Sequence, residues 1–275
     1  MNGFKTVLAD YDFIVVGGGM TGLCAALAAA RHGARTALVQ DRPVLGGNAS
    51  SEIRMHICGA TANNEKPELS EGGIIHELML SNKRVNDSYN FSIWDAVLFD
   101  AAKKEKNLDL YLNCTMHSAT CVNGEVKSIE CYQLTTEKQI FLSGKIFADC
   151  TGNGTLAAFV GAEFHTGSEG KDAYGEEHAP EKHNEDRMGN TLLFKAIDRG
   201  HPVEFIPPVE VMHFTEDQLR LRKHSNQVPA SILEKATESE RRMLYDGYCQ
   251  DYGYWWIEIP GTSDDIISEY EDIRD

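Results

Sequence analysis

The chain has 275 residues, of which 42% are hydrophobic, and a formal net charge of −16. Its length exceeds one typical domain, and its apolar content is enough for a sizeable core. The acidic balance disfavours a nucleic acid or an anionic membrane as partner, because both would repel it, and no apolar run approaches the ~20 residues of a membrane span.

Met1 to Tyr11 lacks the charged and apolar regions of a secretory signal. Asp12-Phe13-Ile14-Val15-Val16 is a short apolar run that fits a buried parallel strand. Gly17-Gly18-Gly19-Met20-Thr21-Gly22 follows, and then Leu23 to Ala30, rich in helix formers and small residues. His32-Gly33 ends that helix, and Thr36-Ala37-Leu38-Val39 reads as a second strand. A strand, glycine turn, helix and strand in this order place a dinucleotide pyrophosphate on a helix N-terminus. Gly17 permits the tight turn, Gly19 lets the backbone approach phosphate, and Gly22 lets the helix pack closely on the strand. With Met20 and Thr21 between them, these are the candidate phosphate-binding residues.

The second strand of such units normally ends in an acidic residue that takes the ribose hydroxyls. Gln40 stands at that place and Asp41 follows it. A glutamine amide binds a hydroxyl without charge assistance, and Asp41 substitutes if the strand ends one residue later, so both readings stay open. Arg42-Pro43-Val44-Leu45-Gly46-Gly47 comes next. An arginine and then a glycine pair behind the second strand is what flavoproteins use beside FAD, which makes Arg42, Gly46 and Gly47 cofactor candidates.

Further along, Glu71 to Leu80 and Trp94 to Ala102 carry apolar residues at helical spacing, and Leu108 to Leu112 alternates as a half-buried strand does. Asn123-Gly124 between two β-rich runs predicts a hairpin, and Ser118 to Leu142 reads as a small antiparallel meander. Seven cysteines with no C-x-x-C pair argue against a disulfide framework or a zinc site. Cys24, Cys121 and Cys150 lie in apolar elements and read as buried fillers. A reducing cytoplasm is the expected location.

The segment GGGMTGLCAALAAARHGARTALVQDRPVLGGNASSEIRMHICGA resembles the FAD-dependent oxidoreductases of the glutathione-reductase-like Rossmann superfamily. A second block, Lys145 to Ala157, is similar to the strand-then-TGDG segment of that family, with Asn153 where aspartate is usual. The resemblance covers residues 10–165, and continues more loosely through Leu192-Leu193-Phe194-Lys195 and Trp255-Trp256. It implies FAD as cofactor, with Thr151 and Gly152 adding to its site. It also implies an α/β fold: a Rossmann-type parallel sheet with a meander insertion. The expected domains are an FAD-binding domain over 1–165 and a partial substrate or cap region over 166–275.

In that architecture the segment after the glycine pair passes beside the flavin, here Asn48 to Ala60. Asn48 and Ser51 can bond phosphate or ribitol. Arg54 can hold an anionic substrate or stabilise negative charge on reduced flavin. His56 can carry protons, or can be a core histidine bonded to backbone. Cys58 has no paired cysteine for disulfide chemistry. The expected activity is hydride transfer between a small organic substrate and bound flavin. The alternatives are a monooxygenase using NAD(P)H and oxygen, and a truncated, non-catalytic nucleotide-binding module.

Residues 1–165 hold 14 basic and 18 acidic groups, and residues 166–275 hold 12 and 24. The stretch Thr166 to Asn190 is polar without clear periodicity, and neither His178 nor His183 has metal-ligand spacing. Phe214 to Tyr252 is helical in character around Ile232-Leu233 and Met243-Leu244. Tyr254 to Ile257 reads as a strand, and Glu269 to Asp275 as a helix without a glycine terminator. The family's closing Gly-Asp segment has no counterpart after Gly154. The 275 residues are therefore expected to be the N-terminal part of a longer enzyme or a truncated product, binding FAD weakly or not at all on their own and showing little turnover.

Overall fold

The structure, a computed structural model, describes residues 5–57, 72–185, 190–196 and 253–259 and the single positions 201, 203, 204, 206 and 209. For 190–196 and 253–259 it describes the backbone. Spatial clustering divides the chain into two units, Met1–Phe164 and His165–Asp275.

In the first unit β1 (Lys5–Val16) begins well before the predicted Asp12. Its first half pairs in parallel with Lys138–Gly144 and alternates exposed with covered positions, so it lacks the apolar run that marks its second half. The glycine turn leads into α1 (Met20–Arg31), which ends at His32 and a left-handed Gly33, and then into β2 (Thr36–Val39), buried at every residue. Two further helices follow, α2 (Gly73–Val85) and α3 (Phe91–Lys104). The Asn90 side chain caps α3 by accepting from the Ser92 N–H at 2.8 Å. Next come β3 (Leu108–Tyr111), β4 (Cys114–Val122), β5 (Glu125–Gln133) and β6 (Lys138–Asp149). Asn123 and Gly124 both take positive φ, as the predicted hairpin requires.

These six strands form one sheet in the order β3-β2-β1-β6-β5-β4. β3, β2, β1 and β6 are parallel neighbours, and β6, β5 and β4 are antiparallel. This is the expected Rossmann-type sheet with its meander, and β6 belongs to both parts. Alternation along the strands sends Val15 and Leu38 to one face, with Leu23, Leu27, Leu78, Trp94 and Leu98 from the three helices. Ile14, Val16, Ala37 and Val39 face the other side, where Met116, Ile129 and Cys131 of the meander join them. Covering both faces is why the central strands read as continuous apolar runs. Arg31 at the end of α1 donates to both carboxylate oxygens of Glu77 at 2.7 Å and to Glu105 at 2.6 Å, tying α1 to α2 and to the turn before β3.

The cysteine reading needs correction. Cys121 is exposed, because it lies near the hairpin tip of the edge strand β4, and Cys24 and Cys150 are half-buried. Among the described residues the buried thiols are Cys114 and Cys131 on neighbouring strands. The Cys114 thiol and burial together push the Cys131 thiol far up.

In the second unit, the polar stretch without clear periodicity closes on itself. Ser168 and Asn184 exchange backbone hydrogen bonds at 3.0 and 3.1 Å, Lys171 N–H donates to Pro180 C=O, and α5 (Lys171–Tyr174) forms a single turn between them. Lys171 pairs with Glu181 at 2.6 Å, and His183 with Glu185 at 3.0 Å. β7 (Asn190–Ala196) pairs antiparallel with β8 (Gly253–Ile259), setting Leu193 opposite Trp256 and Phe194 opposite Trp255. The predicted helical stretch 214–252, the final helix 269–275, the start of the first predicted mid-chain helix at Glu71, and Cys58 to Ala60 lie outside the described residues. Among the described residues no helix is long and apolar enough to cross a membrane, and no three His, Cys, Asp or Glu side chains gather to hold a metal.

After β6 the chain turns into α4 (Thr155–Phe159) around one carboxylate. Asp149 accepts from the N–H and hydroxyl of Thr151 at 3.0 and 2.7 Å and from the Ala157 N–H at 2.9 Å. Burial pushes this carboxyl up, but the bonds from Ala157, Thr151 and Leu156 outweigh it and leave its pKa below 3.8. The folded protein thus favours the charged form. The stability this contributes is complete above 3.8 and is lost as pH falls through the lower folded value. Asp149→Ala is expected to cost about 1 kcal/mol at pH 7, the scale of a lost helix cap at a solvent-screened site. Urea unfolding of both proteins should show that gap closing below about pH 4; an unchanged gap at pH 3 would mean that the carboxylate charge is not what holds the turn.

Candidate functional site

Three loops meet at the carboxyl ends of β1, β2 and β6, the end at which open α/β sheets bind ligands. The first is Gly17-Gly18-Gly19. Gly17 has φ 102°, and a Cβ there would lie 2.1 Å from the Cys150 carbonyl oxygen. Its N–H donates to Val39 C=O at 2.8 Å. Gly18 is buried, with its N–H on the Gln40 side-chain oxygen at 2.6 Å. Gly19 is the N-cap of α1, and among the described residues no side chain caps this helix start. The first intrahelical bond is from Leu23 N–H to Gly19 C=O, so the amides of Met20, Thr21 and Gly22 head the helix without an intrahelical partner. A Cβ on Gly19 would meet nothing within 4 Å. Open space in front of an uncapped helix N-terminus suits an anion, because the dipole and the amides both favour negative charge.

The second loop brings the glycine pair onto the first. Gly46 N–H donates to Gly18 C=O at 2.9 Å, and Gly19 and Gly46 form a parallel bridge. Gly46 has φ 107° and faces Leu98 of α3, while a Cβ on Gly47 would stand 3.1 Å from the Cα of Gly19. The two glycine motifs, separate in sequence, therefore form one backbone surface. Asn48 is exposed at its rim. Ser51 donates its N–H to the Asp95 carboxylate of α3 at 2.9 Å, which fixes the loop to that helix. Arg42 is mostly exposed and pairs with Glu52 at 3.5 Å.

The candidate ribose residues diverge. Gln40 is 5% exposed and its amide bridges Gly18 and Val44, whereas Asp41 is exposed. In the third loop the Thr151 hydroxyl donates to Asp149 and accepts from Thr155 N–H at 2.8 Å, and Gly152 stands exposed at φ 85°. Sequence reasoning missed Asp95, Asp149 and the bracing role of Gln40. An acid two residues before Thr151 was the available signal for Asp149, while nothing local marks Asp95.

Arg54 and His56 lie on the segment leaving the glycine pair. Arg54 sits at φ 62°, a left-handed conformation costly for an arginine. It is held by its N–H on Ser50 C=O at 2.7 Å and its side-chain Nε on Ser51 C=O at 2.9 Å. His56 is exposed and lines a cavity of about 520 Å³ with Met55, His76, Met79, Phe91 and Trp94. The core-histidine alternative does not hold in this structure, since the ring is at the surface.

Residues 12–265 match the family described as FAD dependent oxidoreductase. No curated protein matches the chain. Among solved structures, a geranylgeranyl bacteriochlorophyll reductase-like protein from Thermoplasma acidophilum is similar at 18% identity, covering 57% of this chain and 43% of that one, with a TM-score of 0.41. THI4 from Thermovibrio ammonificans is similar at 20% identity over 63% and 76% of the two chains, TM-score 0.41. p-Nitrophenol 4-monooxygenase from Pseudomonas putida is similar at 13% identity over 59% and 45%, TM-score 0.37. At these scores and identities the likenesses decide nothing about what this chain does. The match spans less than half the length of the Thermoplasma protein. The family match is decisive where they are not: this chain belongs to the FAD dependent oxidoreductases, and its cofactor, FAD, carries the pyrophosphate that the uncapped α1 N-terminus and the open space at Gly19 fit.

Proposed function

We propose that this chain serves an enzyme that oxidises or reduces a small organic substrate. The flavin, when bound, supplies the hydride acceptor or donor, and the protein binds, orients and moves protons. The observation that carries this reading is the joining of Gly19 to Gly46 beside the uncapped start of α1. The amides of Met20, Thr21 and Gly22 would hold the pyrophosphate. Gly46, Gly47, Asn48 and Ser51 would line the cofactor's path away from the helix, with Thr151 and Gly152 on the opposite loop.

Two residues are assigned to chemistry. Arg54, fixed in place by Ser50 and Ser51, would set a positive charge against an anionic substrate or the reduced cofactor. His56 at the cavity would take or give the substrate proton that accompanies hydride movement. The cavity is walled mainly by apolar and aromatic side chains, with Asn82, Lys83 and Asn86 among them, which suits an organic molecule with an apolar body and a polar group.

Titrated with FAD, the purified chain is expected to bind it measurably, and Gly19→Val to lose that binding while keeping the parent's circular dichroism and melting curve. The added side chain enters space that is open in the protein and needed by phosphate. A Gly19→Val protein with stoichiometric flavin would place the cofactor elsewhere.

For the chemistry, stopped-flow reduction with a substrate found by screening is the measurement. His56→Ala is expected to keep flavin content and slow reduction roughly 10²–10⁴-fold, the range for a general acid or base. Unchanged kinetics would remove His56 from the reaction, and NADPH oxidation coupled to oxygen uptake would replace the proposed reaction with a monooxygenase.

A further inference from the structure

Gln40 occupies the strand-end place at which dinucleotide sites commonly carry the acid that binds ribose hydroxyls. Its side chain is turned elsewhere. The amide oxygen accepts the buried Gly18 N–H at 2.6 Å, and the amide nitrogen donates to Val44 C=O at 3.3 Å. Its backbone is equally engaged, donating to Tyr111 C=O at 2.9 Å and accepting from Cys114 N–H at 2.9 Å. A Cβ on Gly18 would lie 2.9 Å from the Gln40 Cβ and 2.8 Å from a Leu45 methyl, so turn and side chain are in close contact.

We infer that Gln40 is a positioning residue of the phosphate turn and not a ligand of the ribose. The argument rests on the FAD site proposed above. Gly18 is held from two sides, by Gln40 at its N–H and by Gly46 at its C=O. Swinging the amide toward a ribose would strand a buried N–H, a costly change. The choice of amide over carboxylate has the same origin. One side chain must accept from Gly18 and donate to Val44, and glutamine has both an acceptor and a donor where glutamate at neutral pH has only acceptors. Gln40 thus locks the first glycine turn to the loop that carries the second glycine motif.

The test uses the full 275-residue chain with ADP and 2′,3′-dideoxy-ADP as probes, their dissociation constants measured by calorimetry. Gln40→Met removes both bonds at similar length, and Gln40→Glu keeps the acceptor and loses the donor. Gln40→Met is expected to weaken ADP roughly tenfold, a hydrogen-bond-sized effect, and Gln40→Glu less than Gln40→Met. In both variants the ratio of the dideoxy to the ADP constant should equal that of the parent. Hydrogen exchange at the Gly18 amide should quicken in Gln40→Met and stay slow in Gln40→Glu, a readout that needs no ligand. A ratio that collapses toward one in Gln40→Met would make Gln40 a ribose ligand, and ADP affinity and Gly18 exchange both unchanged would make it a bystander; either overturns the inference while leaving the nucleotide site standing. A parent chain that binds ADP no better than it binds free phosphate would overturn the nucleotide site itself, and the inference with it.

Discussion

Three stretches of backbone approach more closely at Gly17 than any side chain would allow. A Cβ on Gly17 would stand 2.1 Å from the Cys150 carbonyl oxygen, and one on Gly22 would stand 1.8 Å from the Gly17 carbonyl oxygen. The end of β1, the start of α1 and the end of β6 are therefore in direct contact. That contact sets the tilt at which α1 leaves the sheet, and with it the direction in which the helix dipole and its leading amides point. It also aligns β6 with β1 across the full strand, from Lys5 opposite Lys138 to Val16 opposite Asp149. The meander hangs from β6, so its seat over the Ala37 and Val39 face follows from the same contact.

Around that fixed point the polar groups form a second level of constraint. Gly18 is gripped by Gln40 and Gly46, Ser51 by Asp95, and the α4 turn by Asp149. The bonds at Gly18 and Ser51 join loops to parts far along the chain, those at Asp149 close a local turn, and together they hold the backbone amides in place without using the amides of Met20, Thr21 and Gly22. A site of this kind is preorganised by groups that need not touch the ligand.

What could be read from the residues followed this division. The glycine turn, the two strands and the helix between them were legible because glycine spacing and apolar runs are local properties, and the hairpin at Asn123-Gly124 for the same reason. The first half of β1 was not, because Lys5 to Tyr11 is half-exposed and owes its strand to pairing with β6. Cys121 sits in an apolar run yet at an exposed hairpin tip, a fact about the sheet edge rather than the run. Long-range braces were the least legible. Gln40 and Asp95 carry no motif, and their partners lie 22 and 44 residues away.

Arg54 and His56 mark where local rules stop. A left-handed arginine is a choice no propensity favours, and it persists here because its N–H on Ser50 C=O and its Nε on Ser51 C=O fix the turn around it. That turn projects Met55 and His56 from the glycine surface toward α2 and α3, so the strain at one residue sets which side chains reach the cavity. The glycine cradle needs particular backbone shapes and tolerates little change. The segment after it is held by the bonds from Ser51 to Asp95 and from Met55 N–H to Asn48 C=O, and its side chains at 55–57 line the cavity. The glycine cradle is thus fixed by backbone contact, whereas the cavity beside it is shaped by side chains.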